Sequence, residues 1–121
     1  MNKNTTNKSQ IREIVIPILN SEYKVIVVMG NDKDLKRVAK SWGYDDFTIP
    51  FGSRRGSTYY RADRHPIIHI SKKPKTAEEM GTLAHEATHA CHHVFDAIDE
   101  VDRNTEAFAH SVGAVVRGVL K

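Results

Sequence analysis

The apolar pattern of the chain opens with two runs rich in Ile and Val, Gln10 to Leu19 and Tyr23 to Met29, separated by Asn20-Ser21-Glu22. β-branched runs of this length, bounded by polar turn residues, predict a hairpin or a pair of adjacent strands. Pro17 cannot donate to a ladder, so the first run is expected at a sheet edge. Gly30-Asn31-Asp32 signals a turn, with Asp32 as the expected helix cap. Leu35, Val38, Ala39 and Trp42 then recur at helical spacing and Gly43 stops them, which predicts a helix from Lys33 to Trp42. The middle of the chain reads as strands: Phe47 to Phe51, Ser57 to Ala62 and Ile67 to Ser71, with Gly52 to Gly56 as a loop. Pro66, just before Ile67, suits the start of an edge strand. Thr76-Ala77-Glu78-Glu79 is a capping box that opens a long helix, Ala77 to about Phe95. An acidic connection leads to a last helix, about Arg103 to Leu120. Strands and one helix followed by two helices define an α+β domain. Residues 1 to 9 read as a polar tail and residues 10 to 121 as the single domain.

Composition narrows the function classes. A chain of 121 residues with 40% hydrophobic and 27% charged residues suits one compact domain with a small core. The single cysteine, Cys91, excludes an internal disulfide framework and a cysteine zinc cluster, and it fits a cytoplasmic, reducing setting. No run reaches the length of a membrane span, and the polar start MNKNTTNKSQ lacks the apolar segment of a secretory signal. The formal net charge of +3 permits an acidic partner or nucleic acid without demanding either.

The candidate chemistry lies at HEATH, residues 85 to 89. On a helix, His89 falls at about 40° from His85, so both imidazoles can reach one ion. Glu86 falls at about 100°, on the flank, where a carboxylate can hold a metal-bound water without ligating. Met80, Leu83, Ala84, Ala87, Cys91, Val94 and Phe95 centre near about 220°, so the histidines lie away from the core stripe. Catalytic zinc takes three protein ligands and a water. Glu106, in the first turn of the last helix, lies opposite the apolar face made by Phe108, Val112, Val115, Val116 and Val119. His110, four residues on, shares the Glu106 face and rivals it as third ligand or as a transition-state donor.

Other residues complete the inventory. His92 is close to His85 in angle but about 10 Å along the axis, too far for one ion to take both with His89. His69 is expected to line the cleft, on the face of its strand opposite Ile68 and Ile70. Tyr60 is a further substrate-side candidate. Ser53-Arg54-Arg55-Gly56 followed by Tyr59-Tyr60-Arg61 interleaves basic and aromatic residues, a pattern that can bind single-stranded nucleic acid.

HEATH followed by TEAFAH resembles the arrangement of gluzincin metallopeptidases, an H-E-x-x-H helix and a glutamate on a following helix. The E-A-x-A run at Glu106 is similar to the ligand helix of minimal single-domain gluzincins and of peptidase domains that cleave phage repressors. The resemblance covers about residues 67 to 120. It implies a twisted, mostly antiparallel sheet with an edge strand beside the cleft, zinc held by His85, His89 and Glu106, and Glu86 as general base. It further implies hydrolysis of a peptide or protein substrate, and the short apolar runs point to no membrane partner. The second subdomain of larger gluzincins has no counterpart here. The alternative reading is therefore a zincin-fold module that holds zinc and recognises a protein or nucleic-acid partner. SprT-like proteases, which join the same motif to DNA binding, stand between the two.

Overall fold

The computed structural model describes residues 12–18, 23–49, 55–97 and 105–121. Within them the chain forms β1 (Arg12–Ile18), β2 (Tyr23–Met29), α1 (Asp32–Ser41), β3 (Gly56–Tyr59), β4 (Ile67–Ile70), α2 (Ala77–Ala97) and α3 (Thr105–Leu120). The four strands make one mixed sheet in the order β1-β2-β4-β3. β1 and β2 form the predicted antiparallel pair, with Ile16 opposite Val25. β2 and β4 run parallel, and β3 returns antiparallel on the outer side of β4. The fold is α+β, as the element order predicts.

β2 reads Val-Ile-Val-Val-Met without alternation because both its faces are covered. Val25, Val27 and Met29 join Ile68, Ile70, Leu83 and Ala87 in the core under α2 and α3. Ile26, Val28 and Ile67 face the other way, against Leu35, Val38 and Ala39 of α1. The sheet is thus the middle of three layers. On its two-helix face, α2 rests over β3 and β4 while α3 rests over β1.

Pro17 sits on edge strand β1, where the missing N–H costs no ladder bond. Pro66 does not mark an edge: β4 is paired on both sides. The proline precedes the strand, and its carbonyl accepts from Ile26 N at 3.0 Å, so it opens the parallel ladder without needing an N–H. Phe47 to Ile49 is not a strand, and residues 50 and 51 lie outside the described residues. Its apolar character serves packing instead, since Phe47 sets its ring edge against Tyr44 and Tyr59. β3 ends at Tyr59, three residues before the predicted Ala62. Asn31, not Asp32, caps α1, in a reciprocal box with Asp34. The Thr76–Glu79 box opens α2 as predicted, and α2 runs two residues past Phe95. Met80 and Ala84, assigned to the core stripe from spacing, are exposed. Leu83, beside Ala84, is fully buried, so the core contact of α2 begins at that turn, with Ala84 on its flank and Met80 before it. The polar tail and the connection 98–104 lie outside the described residues.

Two buried acids make stability fall at alkaline pH. Burial pushes the Tyr44 hydroxyl up to about 12, with Arg61 and Arg64 opposing, and pushes the Cys91 thiol up to about 12. Above pH 9 the unfolded chain therefore loses protons that the folded chain keeps. The protection is intact below the unfolded values, near 9 for Cys91 and 10 for Tyr44, and is lost as pH rises toward 12. Melting temperature is expected to fall steadily from pH 9 to 11, and a Cys91→Ala variant should show a shallower fall.

Candidate active site

α2 is positioned by its buried stripe, Leu83, Ala87, Ala90, Cys91, Val94 and Phe95, which locks the rotation of the helix on the sheet. That rotation leaves His85 and His89 exposed and tucks Glu86, only 8% exposed, toward β3. The two Nε2 atoms stand 3.1 Å apart. Two nitrogens on one tetrahedral zinc, each at about 2.05 Å, would stand about 3.3 Å apart. The imidazoles are therefore already near the spacing that shared ligation requires.

A carboxylate as buried as Glu86 needs a partner. It has one in Thr58, on the edge strand, whose Oγ1 donates to Glu86 Oε1 at 2.6 Å and lies 3.1 Å from the Glu86 carbonyl. Gly56 makes room beside it. A Cβ there would stand 2.8 Å from Thr82 Cγ2 and 3.3 Å from Glu86 Cγ. Gly56, Thr58, Tyr60, His85, Glu86 and His89 together line a cleft of about 380 Å³. Neither Thr58 nor Gly56 stood out in the sequence. A threonine in a strand and a glycine after a loop are ordinary, and only the approach of β3 to α2 gives them a role.

Tyr60 lines the cleft and is 57% exposed. Its ring stacks on His93 at a centroid distance of 4.9 Å and an interplanar angle of 28°, so one of the extra histidines steadies the cleft wall. His92 packs its ring on Phe108 of α3. His69 is not at this cleft. The alternation that sends Ile68 and Ile70 toward α2 turns His69 to the α1 face, where Nε2 meets the Gly30 carbonyl at 2.8 Å.

The third ligand is not assembled. Among the described residues, no three His, Cys, Asp or Glu side chains converge to hold an ion. Glu106 and His110 are both exposed on α3. The cause is the placement of α3. It flanks α2 on the β1 side, whereas the cleft opens on the β3 side. Phe108 meets His92 and Phe95, so Glu106 sits beside the last turns of α2. Along the axis of an antiparallel pair, that level is roughly 10 Å beyond His89.

Within the basic and aromatic interleaving, three side chains make contacts in the fold while Arg55 and Tyr60 stay exposed. Tyr59 packs on Phe47, Tyr60 on His93, and the Arg61 guanidinium lies 5.2 Å over the Tyr44 ring. Residues 53 and 54 lie outside the described residues. No helix among the described residues is long and apolar enough to cross a membrane.

Loss of the Thr58 hydroxyl should loosen the Glu86 carboxylate. A hydrogen bond to a charged group is worth about 1.5–3 kcal/mol. Thr58→Val is expected to lower kcat by about tenfold or more with KM little changed, and Thr58→Ser to restore most of it.

A family model, peptidase M78, described as the IrrE N-terminal-like domain, matches residues 39–112, a stretch that runs from α1 through β3, β4 and HEATH to Val112. No curated protein and no solved structure gave a match.

Proposed function

This chain belongs to the M78 peptidase family, the IrrE N-terminal-like domains, and from that premise we propose that it is a zinc-dependent metallopeptidase of gluzincin type. The observation that carries the reading is the trio on α2: two histidines with Nε2 atoms 3.1 Å apart and, between them in sequence, a glutamate held under the cleft by Thr58. A module that holds zinc only for structure needs no such carboxylate.

The donor set suits zinc, with two imidazoles at near-ligating separation and a carboxylate beside them. His85 and His89 would hold the ion, with Glu106 as the proposed third ligand and His110 as its rival. Zinc, when bound, supplies a water that ionises near neutral pH and an electrophilic contact for a carbonyl oxygen. Glu86 takes the proton of the attacking water at Oε and delivers it to the leaving amine. Thr58 holds that carboxylate in one rotamer, so the proton acceptor is in place before substrate arrives. Tyr60, which lines the cleft, is the proposed hydrogen-bond donor to the substrate.

The edge available to an extended peptide is that of β3. The strand opening at Ile67, expected at an edge from Pro66, is closed on both sides by β2 and β3. Among the described residues, no strand pairs with the outer side of β3, and Gly56 to Tyr59 borders the cleft. A substrate added there as a fifth strand would pass Glu86 with its backbone extended.

Elemental analysis of protein purified without added metal tests the reading, together with hydrolysis of a mixed quenched-peptide library. Zinc near one per chain with hydrolysis supports a peptidase. Zinc without hydrolysis favours the binding module, and a stoichiometry near zero overturns both.

A further inference from the structure

β3 separates two concavities. The cleft already described lies on its α2 face. On its α1 face lies a hollow of about 490 Å³ that shares Gly56, Ser57 and Tyr59 with that cleft. We infer that this hollow is a second side-chain subsite of the same peptide site, that it accepts an acidic residue of the substrate, and that it imposes a period of two on substrate preference. The inference rests on the peptidase reading and extends it to a substrate class.

The parity follows from strand geometry. Successive side chains of a strand point to opposite faces. In β3, Gly56 and Thr58 face α2, since a Cβ on Gly56 would meet Thr82 and Thr58 reaches Glu86. Ser57 and Tyr59 therefore face α1, beside His69 and Ile67, their partners across β4. A peptide strand laid along β3 inherits this alternation. Side chains facing α2 stand over Glu86, and their immediate neighbours face the hollow.

The lining chooses the side chain. Lys33 and Arg55 contribute cationic groups, Ser57, Ser71 and Tyr59 contribute hydroxyls, and among the described residues Asp32 is the one acidic member of the lining. Arg55 is ion-paired with Glu78, which lines a neighbouring hollow, so Arg55 contributes hydrogen-bond donors more than net charge. Lys33 is the lining cation with no ion pair among the described residues, and it faces an incoming carboxylate. His69 has its Nε2 engaged by the Gly30 carbonyl and closes the inner wall. The surplus is of donors, and a glutamate side chain has both the reach and the acceptors to use them.

The test is a positional scan on the full chain. Quenched peptides carry Glu, Gln, Ala or Lys at each of the three positions on either side of the scissile bond. Hydrolysis is followed with the wild type, and binding by fluorescence anisotropy with Glu86→Gln. A preference for Glu over Lys of about two- to fivefold is expected at alternate positions only, the scale of a partly exposed ion pair. Lys33→Glu should reverse that preference at the same positions and leave the intervening ones unchanged. Lys33 is exposed in the first turn of α1, where an acidic replacement suits the helix dipole and the fold is kept. An acidic preference at every position, or none, overturns the subsite, as does a Lys33→Glu variant with wild-type selectivity. Alternating binding by Glu86→Gln without hydrolysis by the wild type keeps the subsite and overturns the peptidase. A chain that neither binds nor cleaves any member overturns both.

Discussion

Glu86→Gln is expected to leave the zinc content of the protein unchanged and to lower peptide hydrolysis by about two to four orders of magnitude, the range of a positioned general base. The amide keeps the size of the carboxylate, and its oxygen can still accept from Thr58 Oγ1, so the buried site at the foot of β3 stays filled and hydrogen-bonded. What is lost is the capacity to take a proton. Because Glu86 is 8% exposed and faces β3 while His85 and His89 are exposed, the substitution leaves both proposed α2 ligands in place. Side-by-side metal analysis and single-turnover hydrolysis decide the matter. Undiminished cleavage by Glu86→Gln would remove Glu86 from the chemistry. Loss of zinc together with cleavage would make Glu86 a support of the metal site instead.

The comparison with Thr58→Val separates two kinds of loss. Glu86→Gln removes the proton acceptor, whereas Thr58→Val leaves it charged but unheld. The first is expected to cost far more than the second, and both should act on kcat. An equal loss in the two would mean that placement of the side chain, rather than its basicity, is what β3 provides.

The parts of the fold legible in sequence are those set by local chemistry. The Thr76–Glu79 box and the buried stripe of α2 place HEATH on a helix with its histidines outward. Pro17 on an edge strand follows from the missing donor alone. What escaped the sequence depends on neighbours distant along the chain. Pro66 reads as an edge signal only until the parallel pairing of β2 with β4 is known. Phe47 to Ile49 has strand composition, yet its aromatic residue is used against Tyr44 and Tyr59. His69 is assigned to the correct face of its strand, but which face α2 occupies is a tertiary fact. The Glu86 flank angle predicts a carboxylate beside the histidines. The partner that fixes it, Thr58, is 28 residues away and carries no sequence signal.

His89→Ala is expected to abolish zinc binding and hydrolysis together, with the fold intact. His89 is exposed and its ring contacts His85, so truncation opens no core cavity. With one imidazole left, the shared geometry set by the 3.1 Å separation is gone. An ion that binds only the folded chain stabilises it by about 2.7 kcal/mol at a hundredfold excess over its dissociation constant. For a domain of this size that is roughly a 10 °C shift in melting temperature. A chelator should therefore lower the wild-type melting temperature by about that amount and leave His89→Ala unmoved; a chelator shift that survives in the variant would place the ion elsewhere. The same assay ranks the third ligand. If α3 brings Glu106 to the ion, Glu106→Gln loses most of the chelator shift and His110→Ala keeps it, and the opposite ranking assigns the position to His110. Because Phe108 anchors α3 near the end of α2, ligation by Glu106 would require α3 to move toward His89. Zinc should then protect the amides of the first turns of α3 from hydrogen exchange in the wild type and not in Glu106→Gln.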